Sequence, residues 1–207
     1  MNLLNWLLHV DTQLISFIAN YGALTYALLF FIVFAETGFV IFPFLPGDSL
    51  LFTTGSLCAQ LSTGMNIWFS FALLSLAAFS GNMLNYTLGR IIGPHVFSRK
   101  QHWLLNQEYL QSAHDFYERH GAKMLILARF IPIIRTFAPF VAGIGNMTLS
   151  VFLWLNAISA VLWVGVILTA GYFLGQIPWI STHFSVVIYG IIAVSLLPVI
   201  IAWFKKT

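Results

Sequence analysis

The chain has 207 residues, of which 59% are hydrophobic and 7% charged. A soluble domain carries about a quarter charged residues, so a water-solvated core is excluded and the solvent this sequence suits is lipid. The single cysteine, Cys58, excludes an internal disulfide and a thiolate metal cluster, and the formal net charge of +3 matters less than where the charges fall.

No Asp, Glu, Lys or Arg occurs from Thr12 to Ala35, from Ser49 to Gly89 or from Thr136 to Phe204. Each run exceeds the roughly 20 residues that a spanning helix needs. The fold class expected is an all-α polytopic membrane protein, one domain over residues 1–207.

In chain order, "MNLLNWLLHVD" has no basic region and no small-residue cleavage site, so it does not read as a cleaved signal peptide. Residues 3–20 read as an interfacial helix or short span. Residues 22–62 are apolar but broken by "PFLPGD", where Pro43, Pro46 and Gly47 end one helical arm and Asp48-Ser49 starts the next as an N-cap. Residues 67–89 form an uninterrupted span ending at Arg90. Residues 100–120 place Trp103, Leu104, Leu110, Ala113, Phe116 and Tyr117 largely on one face, the pattern of a helix lying at the membrane surface. Residues 124–147 are apolar but broken around Arg135 by Pro132 and Pro139, with Arg129 preceding. Spans at 149–175 and 184–204 follow.

Arg90, Arg99, Lys100, Arg119 and Lys123 share one loop region, and Lys205 and Lys206 close the chain. The positive-inside rule makes both regions cytoplasmic. Segment 124–147 then begins and ends inside and must be a re-entrant hairpin. The halves also resemble each other: "FIANYGA" matches "FYERHGA", Glu36 and Arg135 lie at one offset from the respective glycines, and "NYTLGR" echoes "GYFLGQ". Half 1 covers about 1–90, half 2 about 100–176, and 184–204 is an extra span. By the repeat, 22–62 is a second hairpin entering from outside. Opposed halves with broken helices are the arrangement of inverted-repeat transporters.

Four ionisable groups gather at the two breaks: Glu36 and Asp48 in one, Arg129 and Arg135 in the other. A charge at the bilayer centre costs on the order of 2.5–3.5 kcal/mol on insertion scales, so two acids and two arginines are expected to compensate one another. Each has a plainer reading. Asp48 alone suits a helix cap, Arg129 a residue snorkelling to the interface, and all four an ion-pair network that only fastens the hairpins. Taken together they favour function. Guanidinium forks suit phosphate, and a carboxylate in an apolar wall suits proton uptake and release. Movement of an anionic head group, coupled to protons, is the expectation.

The six histidines are scattered and form no metal set. No Ser-His-Asp pattern, HExxH or phosphate-gripping glycine loop is present, so no enzyme, metal, cofactor or nucleic-acid partner is expected. Trp68, Tyr86, Trp154, Trp179 and Trp203 read as interface belts.

"ETGFVIFPFLPGDSLLFTTG" (36–55), "NYTLGR" (85–90), "YERHGAKMLILARFIPIIRTFAPFVAGIGNM" (117–147) and the pair Asn156 and Trp163 together resemble the DedA family of bacterial inner-membrane proteins. The resemblance implies two re-entrant hairpins, shared with the VTT-domain (SNARE-associated) lipid scramblases. It also implies lipid flipping, of undecaprenyl phosphate or of phosphatidylethanolamine, dependent on proton motive force. Its functional acids and arginines fall on Glu36, Asp48, Arg129 and Arg135. Many members carry Gly-Asp where this chain has Gly81-Asn82, which removes an acid at that position. The expectation is a flippase for polyprenyl phosphate. A phospholipid scramblase and a cation–proton antiporter are the alternatives, and a lipid-phosphate phosphatase lacks a nucleophile.

Overall fold

The computed structural model describes residues 21–39, 47–60, 63–97, 124–145 and 147–177, with residues 180, 186, 187 and 190 beyond. Pro43, Pro46, the segments at 3–20 and 100–120 and nearly all of 184–204 lie outside the described residues. Among the described residues there is no strand. The helices, in chain order, are α1 (Ala23–Gly38), α2 (Gly47–Ala59), α3 (Ile67–Phe97), α4 (Met124–Ala128), α5 (Pro132–Ile144) and α6 (Leu149–Leu174).

Their lengths fall into two classes. α3 offers a largely apolar stretch of 25 residues over Ile67–Ile91 and α6 one of 26 over Leu149–Leu174, each long enough to cross a bilayer. Outward-facing tryptophans, Trp68 at 78% exposure and Trp154 at 73%, suit a lipid-facing surface. The 16 residues of α1 and the 13 each of α2 and α5 rise about 1.5 Å per residue, so each falls short of the roughly 30 Å hydrocarbon core.

Local chemistry sets the boundaries. Gly64 turns the chain in the left-handed region (φ +63°). Asn66 then caps α3, its Oδ1 accepting from the backbone N–H of Trp68 at 2.9 Å and of Phe69 at 3.1 Å. α4 ends where the N–H groups of Phe130 and Ile131 bond back to the Leu127 and Ala128 carbonyls, each at 3.1 Å. Ile131 is extended (φ −110°, ψ 109°), the conformation a residue before proline adopts, and Pro132 opens α5. The break therefore lies at 129–131 and Arg135 sits inside a helix. Pro139, expected to break the segment, lies within α5, which continues to Ile144. Its missing N–H deprives the Arg135 carbonyl of its in-helix donor, a loss that helices in membranes tolerate. Gly47, read as a breaker, is the first residue of α2 and is buried. Asp48 lies inside the first turn of α2 and not before it.

The chain divides into two compact units interleaved in sequence. Unit 1 takes Met1–Ile32, Pro46–Leu74 and Val164–Thr207; unit 2 takes Val33–Leu45 and Ser75–Trp163. In unit 1, α2 lies against the C-terminal part of α6. A Cβ on Gly55 would strike the Leu168 carbonyl and come within 2.9 Å of the Tyr172 nitrogen, and one on Gly171 would strike the Phe52 carbonyl. In unit 2, α5 lies against α3 in the same way. A Cβ on Gly143 would strike the Tyr86 carbonyl and approach the Arg90 nitrogen to 2.8 Å, and one on Gly89 would strike the Phe140 carbonyl.

Both crossings use small residues to bring two backbones together, and their spacings agree residue for residue. Gly89 thus corresponds to Gly171, one turn before the Gly175 that the likeness of "NYTLGR" to "GYFLGQ" pairs with it. A slip of four residues returns to the same helix face, so letters alone do not separate the two registers. Unit 2 also has an aromatic centre: Tyr86 stacks on Phe152 (centroids 4.2 Å apart, planes at 20°), packed with Leu125, Ala142 and Met147.

Candidate functional site

The site lies within unit 2. The last turn of α1 brings in Glu36, fully buried, and Thr37. It can lie close to α3 because position 81 is glycine: a Cβ there would strike the Thr37 hydroxyl and the Phe34 carbonyl. The first turn of α5 brings in Arg135, which donates through Nη2 to Glu36 Oε1 in a buried ion pair. Asn85 on α3 holds the two carriers together. Its Nδ2 donates to the Thr37 carbonyl at 3.2 Å and to the Thr136 carbonyl at 2.8 Å, the residues next in chain to Glu36 and Arg135.

Arg129 occupies the turn between α4 and α5 and is 3% exposed. The snorkelling alternative therefore falls. Its hydrogen-bond partners are neutral: Nη1 donates to Asn156 Oδ1 at 3.3 Å and Ser159 Oγ at 3.0 Å, and Nη2 to the Ala78 carbonyl at 3.0 Å. The amides continue inward. Asn82 donates to the same Asn156 Oδ1 at 3.1 Å, and Asn156 Nδ2 donates to the Phe79 carbonyl at 2.9 Å. Both guanidiniums approach the ring of Trp163, Arg129 at 5.2 Å and Arg135 at 5.4 Å from its centroid, within cation–π range.

Glu36, Thr37, Asn82, Arg129, Arg135, Thr136 and Trp163 enclose one cavity of about 10 Å³, room for roughly one water molecule. The wall carries two guanidiniums and one carboxylate. Such a wall can hold an anion, and the space as it stands is too small for a phosphate group.

Of the four ionisable residues expected to act together, Glu36, Arg129 and Arg135 line this cavity. Asp48 belongs to unit 1, half-buried in the first turn of α2, where a carboxylate complements the helix N-terminus. Asn156 and Trp163, noted in the sequence only as marks of resemblance, hold or face the guanidiniums, and Asn82, noted only as a departure, lines the cavity. Ser159, Thr37, Thr136 and Asn85 were not singled out. The available signal was periodicity: Asn156, Ser159 and Trp163 follow one another at steps of three and four, as do Asn82 and Asn85 at three, each a polar stripe on an otherwise apolar helix.

A family model described as the VTT domain matches residues 45–173. Protein DedA of Escherichia coli (strain K12) is 47% identical over 199 residues, covering 96% of this chain and 91% of its own length. An uncharacterized membrane protein of Mycobacterium tuberculosis (strain ATCC 25618 / H37Rv) is 40% identical over 171 residues, 83% of this chain and 75% of its own. Inner membrane protein YqjA of Escherichia coli (strain K12) is 38% identical over 155 residues, 74% of this chain and 69% of its own. No solved structure matches the chain. The second and third relatives are named as membrane proteins, and none of the three names states a catalytic activity.

Proposed function

The chain belongs to the DedA family of VTT-domain membrane proteins, and from that premise we propose that it is a lipid transporter that carries an anionic head group, that of undecaprenyl phosphate, across the bacterial inner membrane. The observation that carries the reading is the cavity wall. Two arginines line one space with a single carboxylate, which is paired with Arg135, in a chain otherwise written for lipid. Guanidinium is the side chain suited to binding phosphate by paired donors. Glu36 holds Arg135 while the site is empty and takes a proton when phosphate replaces it. Asp48, in the first turn of α2, is a second acid suited to proton exchange.

The short helices support the accompanying topology. α1 with α2, and α4 with α5, form re-entrant hairpins of opposite orientation, and the carboxyl terminus is cytoplasmic. The break at 129–131 puts Arg129 where irregular backbone must either be buried or border a wet cavity.

The test is transport of labelled undecaprenyl phosphate in liposomes containing the purified protein. Arg129→Ala and Arg135→Ala are each expected to slow it by about tenfold or more, the scale of losing a desolvated charge partner. Unchanged transport in Arg135→Ala would sink the reading. Equal transport of phosphatidylethanolamine by the unaltered protein would favour the scramblase alternative.

A further inference from the structure

The charges of the cavity do not cancel. Glu36 pairs with Arg135. Arg129, the more deeply buried of the two arginines, hydrogen-bonds among the described residues to neutral oxygens and faces the ring of Trp163. The carboxylate that acts on it is the Glu36 already paired with Arg135. A buried guanidinium without a carboxylate of its own is unfavourable, and a folded site retains one where something else supplies the negative charge. The residue placed to supply it from within is Asn82. It lines the same cavity, is 5% exposed, and donates to the very oxygen that accepts from Arg129: Asn156 Oδ1 lies 3.1 Å from the Asn82 nitrogen and 3.3 Å from the Arg129 nitrogen.

We propose that Asn82 sets the charge selectivity of the site: as a neutral amide it leaves Arg129 uncompensated, so that the cavity accepts a phosphate-type anion. The proposal rests on the anion-site reading above and adds to it the residue that decides which head groups are preferred. Aspartate at this position would have nearly the same shape. Its oxygen would replace the donor nitrogen, be repelled by Asn156 Oδ1 and turn to Arg129, which shares that neighbour. The wall would then hold two carboxylates against two guanidiniums, and its pull on an anion would be lost.

The experiment compares transport of two labelled probes, polyprenyl phosphate and zwitterionic phosphatidylcholine, in phosphatidylcholine vesicles, and reads their ratio. Asn82→Asp is expected to lower the anionic-to-zwitterionic ratio by about tenfold. Asn82→Ala, which removes the hydrogen bond without adding charge, is expected to slow both probes together. An unchanged ratio in Asn82→Asp with uptake of labelled inorganic phosphate also unchanged, or an equal fall of the ratio in Asn82→Ala, overturns the proposal. Should Asn82→Asp give no monodisperse protein, Asn156→Asp brings a carboxylate to the same guanidinium from α6, and an unchanged ratio there overturns it equally. Arg129→Gln separates the two readings. If it leaves the ratio intact, the anion site itself is refuted; if it collapses the ratio while Asn82→Asp does not, only the role of Asn82 fails. Uptake of labelled inorganic phosphate forms the last arm. A loss in Asn82→Asp confined to that arm keeps the role of Asn82 and makes the anion a soluble one.

Discussion

The crossing of α2 on α6 in unit 1 and that of α5 on α3 in unit 2 share one steric design. Each puts Phe at the first contact of the short helix, glycine three residues later, and glycine on the long helix against the Phe carbonyl. The side chains around the two crossings differ. Where α3 carries Asn82, Asn85 and Tyr86, the corresponding positions of α6 are Val164, Ile167 and Leu168. In unit 2 those positions hydrogen-bond Asn156, the carbonyls beside Glu36 and Arg135, and the Met147 carbonyl. In unit 1 they are apolar. Among the described residues, a crossing used twice thus carries these polar contacts at one of its two copies, and the crossing and the contacts can be perturbed separately.

The largest expected effect falls on the charged side. Glu36→Gln leaves Arg135 buried without its carboxylate, a loss of about 3–5 kcal/mol, or on the order of 10 °C or more in Tm. Its counterpart in unit 1 is Ser56→Ala. The Ser56 hydroxyl is buried with no hydrogen-bond partner among the described residues, so the change is expected to stay within about 0.5 kcal/mol. Thermal unfolding of both variants in detergent checks the contrast, and equal losses would remove it.

Next come the glycines, where the two units should respond alike. Gly89→Ala and Gly171→Ala each push a methyl group into a backbone carbonyl that has no flexible end to yield. Each is expected to cost about 1–3 kcal/mol, roughly 3–10 °C in Tm. A tolerated alanine at either position would show that the two crossings are not held by the same contact.

The ease of reading the sequence followed the cost of each residue. Glu36, Arg129 and Arg135 stand out because charge in an apolar run is expensive wherever it lies. The pairing of Glu36 with Arg135 was expected as part of a fourfold set, and three members of it line one cavity. Asn82, Asn85, Asn156 and Ser159 cost too little to draw notice, since an amide or hydroxyl in a helix has several innocent uses. Their roles depend on which neighbours the fold supplies. Pro139 misled for a related reason: proline breaks a helix reliably in water, whereas packed membrane helices accommodate it. The repeat was legible in outline but its register was not, because glycines four apart share a face.

The smallest expected effect sharpens the comparison at a single atom. Tyr86 and Leu168 hold corresponding places, each lending its carbonyl to the glycine of the short helix. Tyr86 alone carries a hydroxyl, which donates to the Met147 carbonyl at 2.6 Å, just before α6 begins. Tyr86→Phe keeps the stack on Phe152 and the contact with Gly143 and removes only that donor. The lost bond is expected to cost about 1 kcal/mol, with the buried Met147 carbonyl left unpaired adding to it, for a fall in Tm of about 2–4 °C. Because Tyr86 does not line the cavity, the ratio of anionic to zwitterionic lipid transport should not move with it. A fall in that ratio would mean that the aromatic centre of unit 2 and its charged wall act as one element, and that the separation of scaffold from chemistry holds only for unit 1.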